Sequence, residues 1–220
     1  MAEALKNYFR GWIDHPHLAR RLVIAVIATM MMGVCILGFE WLQVGTDPYS
    51  CVCIAISHRL NIDLQFVQPI FQTIAFIVIF FAAKDMFGFG TLCNVFLVGI
   101  THDFILNSFL NGTIPQPPET LPRILLFIPC AAIFLLAVSS YVAAGLGTSP
   151  YDAAPIVIDR KLRQNHPKLP TMVVRMAWDL LFTLVGLALG GPFGAVTVAC
   201  VLFLGPLISW LSKFMMRFVG

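Results

Sequence analysis

LVIAVIATMMMGVCILGF, Leu22–Phe39, runs without a single Asp, Glu, Lys or Arg. A helix needs about 20 mostly apolar residues to cross the hydrocarbon of a bilayer, so this run with its flanks has the length of one crossing. Equally charge-free runs follow at Leu64–Ala83, Met86–Thr101, Ile124–Tyr151 and Leu180–Ser212. The last is too long for one helix, and Gly190-Gly191-Pro192 breaks it into a helical hairpin. Six spans result, at roughly 20–42, 66–84, 88–110, 122–145, 170–190 and 193–215. The composition agrees: the 220 residues are 59% apolar and 11% charged, with a mean hydropathy of +0.86, whereas water-soluble domains carry about 25% charged residues.

The other compositional signals point the same way. The net charge of +3 comes from basic residues that flank the apolar runs; they form no stripe that would grip nucleic acid, so no nucleic-acid partner is expected. No small-residue cleavage site follows the first run, which ends in Phe39-Glu40-Trp41, so a retained first helix is expected. Cys35, Cys51, Cys53, Cys93, Cys130 and Cys200 lie inside or beside apolar runs, and Cys51 and Cys53 lack the two-residue gap of a zinc or redox pair. They read as packing residues, with no metal and no cofactor. Walker, dinucleotide, H-E-x-x-H and G-x-S-x-G motifs are missing. An ATP-driven pump is therefore excluded for the chain acting alone, and no enzyme is expected.

The chain matches itself. Gly45-Thr46-Asp47-Pro48-Tyr49-Ser50 follows the first span, and Gly147-Thr148-Ser149-Pro150-Tyr151-Asp152 follows the fourth. A second match, in the same order, aligns Phe87-Gly88, Thr91, Val95 and Gly99 with Phe193-Gly194, Thr197, Val201 and Gly205. Residues 1–19 then form a cytoplasmic N-terminal segment, 20–110 a first repeat, 111–121 a Pro-rich linker, and 122–217 a second repeat. With the N-terminus inside, Lys6, Arg10, Arg20, Arg21, Lys84, Arg160, Lys161, Arg163, Lys168, Arg175, Lys213 and Arg217 lie on the inner side, and only Arg59 and Arg123 outside. This is the positive-inside pattern. Three crossings per repeat put the second repeat upside down relative to the first. A rival plan lets the segments after Pro48 and Pro150 cross as well, giving eight spans. Each offers only about nine apolar-rich positions, too few for a crossing. The expected fold is thus an all-α polytopic membrane helix bundle of about six transmembrane helices. Two three-helix inverted repeats compose it, with short broken or re-entrant helices after the G-T-x-P-Y turns.

The turn chemistry suggests a site. Glycine can end a helix, Asp47 or Ser149 can cap the next one, and Pro48 or Pro150 suits its first position. Asp152 falls where a carboxylate favours a helix start. Such half-helix starts either cap helices at the membrane edge or face a ligand, as in inverted-repeat transporters. Taken as ligand-facing, Thr46, Asp47, Thr148, Ser149 and Asp152 should gather at one cavity. Asn94, His102 and Asp103 on the third span join them as candidate substrate-binding residues, because an ionisable group in the membrane is costly. Gln68 and Gln72 share a face of the second span. Arg175 and Asp179 share that spacing on the fifth, as an ion pair within one helix or as a functional pair.

Ala144-Gly-Leu-Gly-Thr-Ser-Pro-Tyr-Asp152, Gly45-Thr-Asp-Pro-Tyr49, and Gly88-Phe-Gly-Thr91 with Asn94 and Gly99 resemble the turns of the YczE/YitT-like family of bacterial inner-membrane proteins. The second glycine turn departs from that pattern, with Val196 before Thr197 and Cys200 in place of Asn94. The resemblance implies a multi-pass bacterial plasma-membrane protein with both termini cytoplasmic, and supplies no substrate. Three functions remain open: a small secondary transporter or permease for a small-molecule solute, a binding or accessory subunit working as a homodimer or with a partner membrane subunit, and an intramembrane enzyme.

Overall fold

The computed structural model describes residues 17–165 and 170–219. Nearly all of the N-terminal segment 1–19, and with it Lys6 and Arg10, lies outside the described residues, as does Lys168. Among those described there are eight helices and no strand: α1 Leu18–Trp41, α2 Pro48–Leu60, α3 Leu64–Ala83, α4 Phe89–Phe109, α5 Thr120–Ala144, α6 Pro150–Asn165, α7 Thr171–Ala188, and α8. A 3-10 turn, Lys84–Met86, ends α3. Helix α8 starts as Ala195–Ala199, widens into a π turn at Cys200–Leu204 and continues as Gly205–Val219. Pro206 explains the widening, since it brings no N–H to the carbonyl one turn back and its ring crowds that carbonyl.

Six of the helices, α1, α3, α4, α5, α7 and α8, are long and apolar enough to cross a membrane. The protein is a multi-pass membrane protein. Its outside is built for lipid: Phe81, Val78 and Trp210 are 89%, 75% and 71% exposed, and many Ile, Leu and Phe side chains around them are exposed too. In water such a surface would aggregate; against acyl chains it costs nothing.

Helices α2 and α6 begin and end on the same side. At the end of α1, Trp41 Nε1 donates to the Gln116 carbonyl of the connector. In the last turn of α2, His58 lies 3.0 Å from Glu40, the neighbour of Trp41. The chain therefore leaves the connector end at α1, dips inward at Asp47-Pro48, and returns along α2 to where it left. Helix α6 repeats this at the opposite end. It follows the last turn of α5, where Arg21 donates to the Ala144 carbonyl, and its far end carries Arg160, which pairs with Asp85 after α3. The segments after Pro48 and Pro150 thus make re-entrant helices and leave six spans.

The two halves hold each other reciprocally. Helix α2 packs on α7 of the second half, and α6 on α3 of the first. The Gly90 N–H donates to the Leu146 carbonyl over 2.8 Å, and the equivalent Val196 N–H donates to Val44 over 3.0 Å. Each G-T-x-P-Y turn is thereby wedged into the glycine turn of the other half. Gly45 and Gly147 adopt left-handed backbone, φ +85° and +109°, and a Cβ on Gly147 would sit 2.5 Å from the Gly88 nitrogen. Only glycine permits both the conformation and the approach.

Candidate functional site

The two helix starts meet in the interior. Tyr49 and Tyr151, each following its proline, have ring centroids 5.1 Å apart. Around them opens a cavity of about 460 Å³, lined by Asp47, Tyr49, Gln72, Asn94, Asp152 and Arg175 among others, with an apolar wall from Met32, Ile36, Val98 and Phe134. Val201, Leu204 and Gly205, at the π turn of α8, lie on its rim.

Most of the free N–H groups of the two starts have protein partners. Asp47 caps α2, its Oδ2 accepting the Ser50 N–H at 3.1 Å. Ser149 Oγ accepts the Asp152 N–H at 3.1 Å and donates to Asp152 Oδ2 at 2.7 Å. Gln72, from the other half, accepts the Tyr151 N–H through Oε1 and donates through Nε2 to Asn94 Oδ1. With these donors occupied, the anion-binding capacity of a helix start is largely spent within the protein.

The charged wall is asymmetric. Arg175 donates to Asp152 Oδ1 at 2.7 Å and to Asp179 Oδ2 at 2.9 Å, and Tyr151 donates its hydroxyl to Asp179 Oδ1 at 2.5 Å. The guanidinium also stands 5.5 Å from the centre of the Tyr151 ring, within cation–π range. One cation thus serves two carboxylates, and Asp47 adds a third acid. Asp47 is half-buried, and burial pushes its carboxyl above the ordinary value. Three lining residues carry a buried polar atom without a hydrogen-bond partner: Asp47 Oδ1, Gln68 Oε1 and the Tyr141 hydroxyl. These three atoms are closed to water, so they face protein and not the open cavity, and a ligand meets them only when a side chain turns.

Of the residues singled out in the sequence, Asp47, Asn94, Thr148, Ser149 and Asp152 line this cavity. Thr46 is fully buried behind it, its hydroxyl turned to the Asp47 carbonyl. Thr148 is tied into its turn through Met86. His102 and Asp103 are not among the lining residues; they belong to a second buried cluster toward the connector end. Arg175–Asp179 is the expected ion pair within α7, and Asp152 joins it across 23 positions of sequence. Sequence reasoning did not select Tyr49, Tyr151, Gln68 and Gln72 for the site. The tyrosines sit inside the duplicated motif and the glutamines share one helix face, so both signals were present.

The chain matches, over residues 19–213, a family described as a family of unknown function, DUF6198. It belongs to that family. No curated protein and no solved structure gives a significant match. The match spans α1 to α8 and so contains both turns and the whole cavity.

Proposed function

We propose that the protein is a small permease for a cationic, hydrogen-bond-donating solute such as an amine, working in the bacterial plasma membrane with both termini in the cytoplasm. The observation that carries this reading is the convergence of Asp47-Pro48-Tyr49 and Ser149-Pro150-Tyr151, one from each half, on a single cavity lined by Asp47, Asp152 and Arg175. Lipid does not tolerate broken helices, because each unpaired backbone group costs several kcal/mol; a break at membrane depth survives only in protein or at a water-filled cavity. A duplicated break facing one cavity is the plan of inverted-repeat transporters. The reciprocal turn contacts and three crossings per half support that plan, and the basic residues at the end opposite the connector support the orientation. The turns that build the cavity are those behind the resemblance to YczE/YitT-like proteins.

The sign of the ligand follows from the charges. Asp152 and Asp179 share Arg175, Asp47 has no cation beside it among the described residues, and the Ser50, Tyr151 and Asp152 N–H groups that would welcome an anion are occupied. The test uses the full chain in lipid nanodiscs with tetramethylammonium, a primary alkylamine, and a carboxylate of similar size. A ligand at a hundred times its Kd stabilises by about 2.7 kcal/mol. Amines should raise the unfolding temperature, and Asp47→Asn should remove the rise while yielding folded protein, since Asn caps a helix as well as Asp. Stabilisation by the carboxylate alone, or an undiminished amine effect in Asp47→Asn, would overturn the reading.

A further inference from the structure

The second cluster has a hydrogen-bond count that does not close without an extra proton. His102 Nδ1 lies 2.8 Å from Asp103 Oδ1, and His102 Nε2 lies 3.1 Å from Glu40 Oε2. All three side chains are at least nine-tenths buried. Each gap needs one hydrogen, yet a neutral imidazole brings only one. Either the ring is imidazolium between two carboxylates, or one acid is protonated; in both cases the trio holds one proton more than a neutral histidine and two carboxylates. Without it, two lone pairs face each other across one of the gaps.

We infer that Glu40, His102 and Asp103 form a one-proton binding site that exchanges with water through His58 at the connector end and reports to the start of α3. His58 Nε2 stands 3.0 Å from the other Glu40 oxygen, and its side chain is 63% exposed. It borders a separate space of about 360 Å³ shared with Glu40, Gln43 and the connector residues Pro115, Gln116 and Pro117. The Glu40 carboxylate beside it holds the His58 imidazole above its ordinary value. At the other end, Asp103 Oδ2 accepts the Gln65 N–H over 2.6 Å. Gln65 lies in the first turn of α3, the helix that carries Gln68 and Gln72 to the cavity. Two further charged groups lie near this point among the described residues: Asp63, which accepts from the Gln65 side chain, and Arg123 of α5, which donates to the Leu42 and Gln43 carbonyls just past Glu40; the connector residues Pro115, Gln116 and Pro117 that border the space bring nothing titratable.

The duplication shows that the fold does not require this cluster. By the offsets of the two repeat motifs, Glu40, His102 and Asp103 correspond to Val142, Ile208 and Ser209. The second half packs the same helices without them. An ionisable trio kept within membrane spans where uncharged residues suffice marks a functional position. The inference does not rest on the solute reading; if both hold, the proton is the ion whose binding is linked to the cavity wall.

The test measures the unfolding temperature of the full chain in nanodiscs from about pH 6 to about pH 10, across the range of imidazole release, with Asp47→Asn in every variant so that the cavity carboxyl does not titrate. With the wild-type trio the protein should lose stability as the shared proton leaves. In Glu40→Gln the amide donates to Nε2 of a neutral ring while Nδ1–H donates to Asp103, so both gaps are filled without the extra proton. This variant should fold, and the fall at high pH should disappear. His58→Gln should keep the fall, because His58 exchanges the proton without filling either gap. Persistence of the fall in Glu40→Gln, its loss in His58→Gln, or a flat profile with the wild-type trio would each overturn the proposal. If Glu40→Gln gives no folded protein, Asp103→Asn carries the same expectation, its amide donating to Nδ1 and its oxygen keeping Gln65. Failure of both to fold would show that the charges serve structure alone, and would also overturn it.

Discussion

Replacing Arg175 by Gln removes the one guanidinium that serves two acids of the cavity wall. Asp152 is 38% exposed at its side chain and can turn to water in the cavity, so its loss of a partner costs little. Asp179 is 2% exposed and would keep only the Tyr151 hydroxyl. Leaving one member of a buried pair uncompensated costs about 3–5 kcal/mol in soluble proteins. Helices unfolded within a bilayer still find polar partners, which draws the expected cost to the lower end, about 3 kcal/mol. That is roughly a hundredfold loss in the folded-to-unfolded ratio at tenfold per 1.4 kcal/mol. Reversible unfolding in mixed micelles measures it. The double variant Arg175→Gln with Asp179→Asn should recover most of the loss, because the stranded charge is gone. A cost below about 1 kcal/mol for the single variant would place Asp179 in contact with water and refute the reasoning, since exposed pairs are worth that little.

Gly147→Ala should cost more than Gly190→Ala in the same unfolding assay: both glycines have left-handed backbone, but a Cβ at 147 strikes the Gly88 turn, while one at 190 meets nothing within 4 Å. The Asp47 carboxyl is raised by burial, so its neutral form is favoured by the fold; its share of stability is present at acid pH and lost as pH rises through the raised value. Asp47→Asn should then match or exceed wild type in stability at neutral pH, while amine binding to wild type should strengthen with rising pH, as isothermal titration would show. A cysteine placed at Gln116, in a background lacking the six native free cysteines, should react with an impermeant reagent in intact cells; labelling only after lysis would invert the proposed orientation.

The spans were legible because a bilayer imposes one length and one polarity on every crossing, and Leu22–Phe39 or Leu64–Ala83 can satisfy neither as anything else. The cavity was partly legible. Duplication marked Asp47, Ser149 and Asp152 through the shared Gly-Thr-x-Pro-Tyr turn, and helical spacing joined Arg175 to Asp179. Contacts between helices leave no such trace. Glu40 and His102 are 62 positions apart, and nothing local says which face of α4 turns toward α1. Thr46 shows the limit of motif reading: it repeats as faithfully as Asp47, yet the turn that presents Asp47 to the cavity buries Thr46 behind it.

The central claim is that one solute site lies between the starts of α2 and α6, and its most direct test is an experimental structure of the full chain in lipid with the most stabilising amine bound. The account predicts density for the amine beside the Asp47 carboxylate, against the Tyr49 and Tyr151 pair and facing Asn94. Density only at the His58 and Glu40 space, or G-T-x-P-Y turns more than about 15 Å apart at opposite faces, half the thickness of the hydrocarbon, would contradict it.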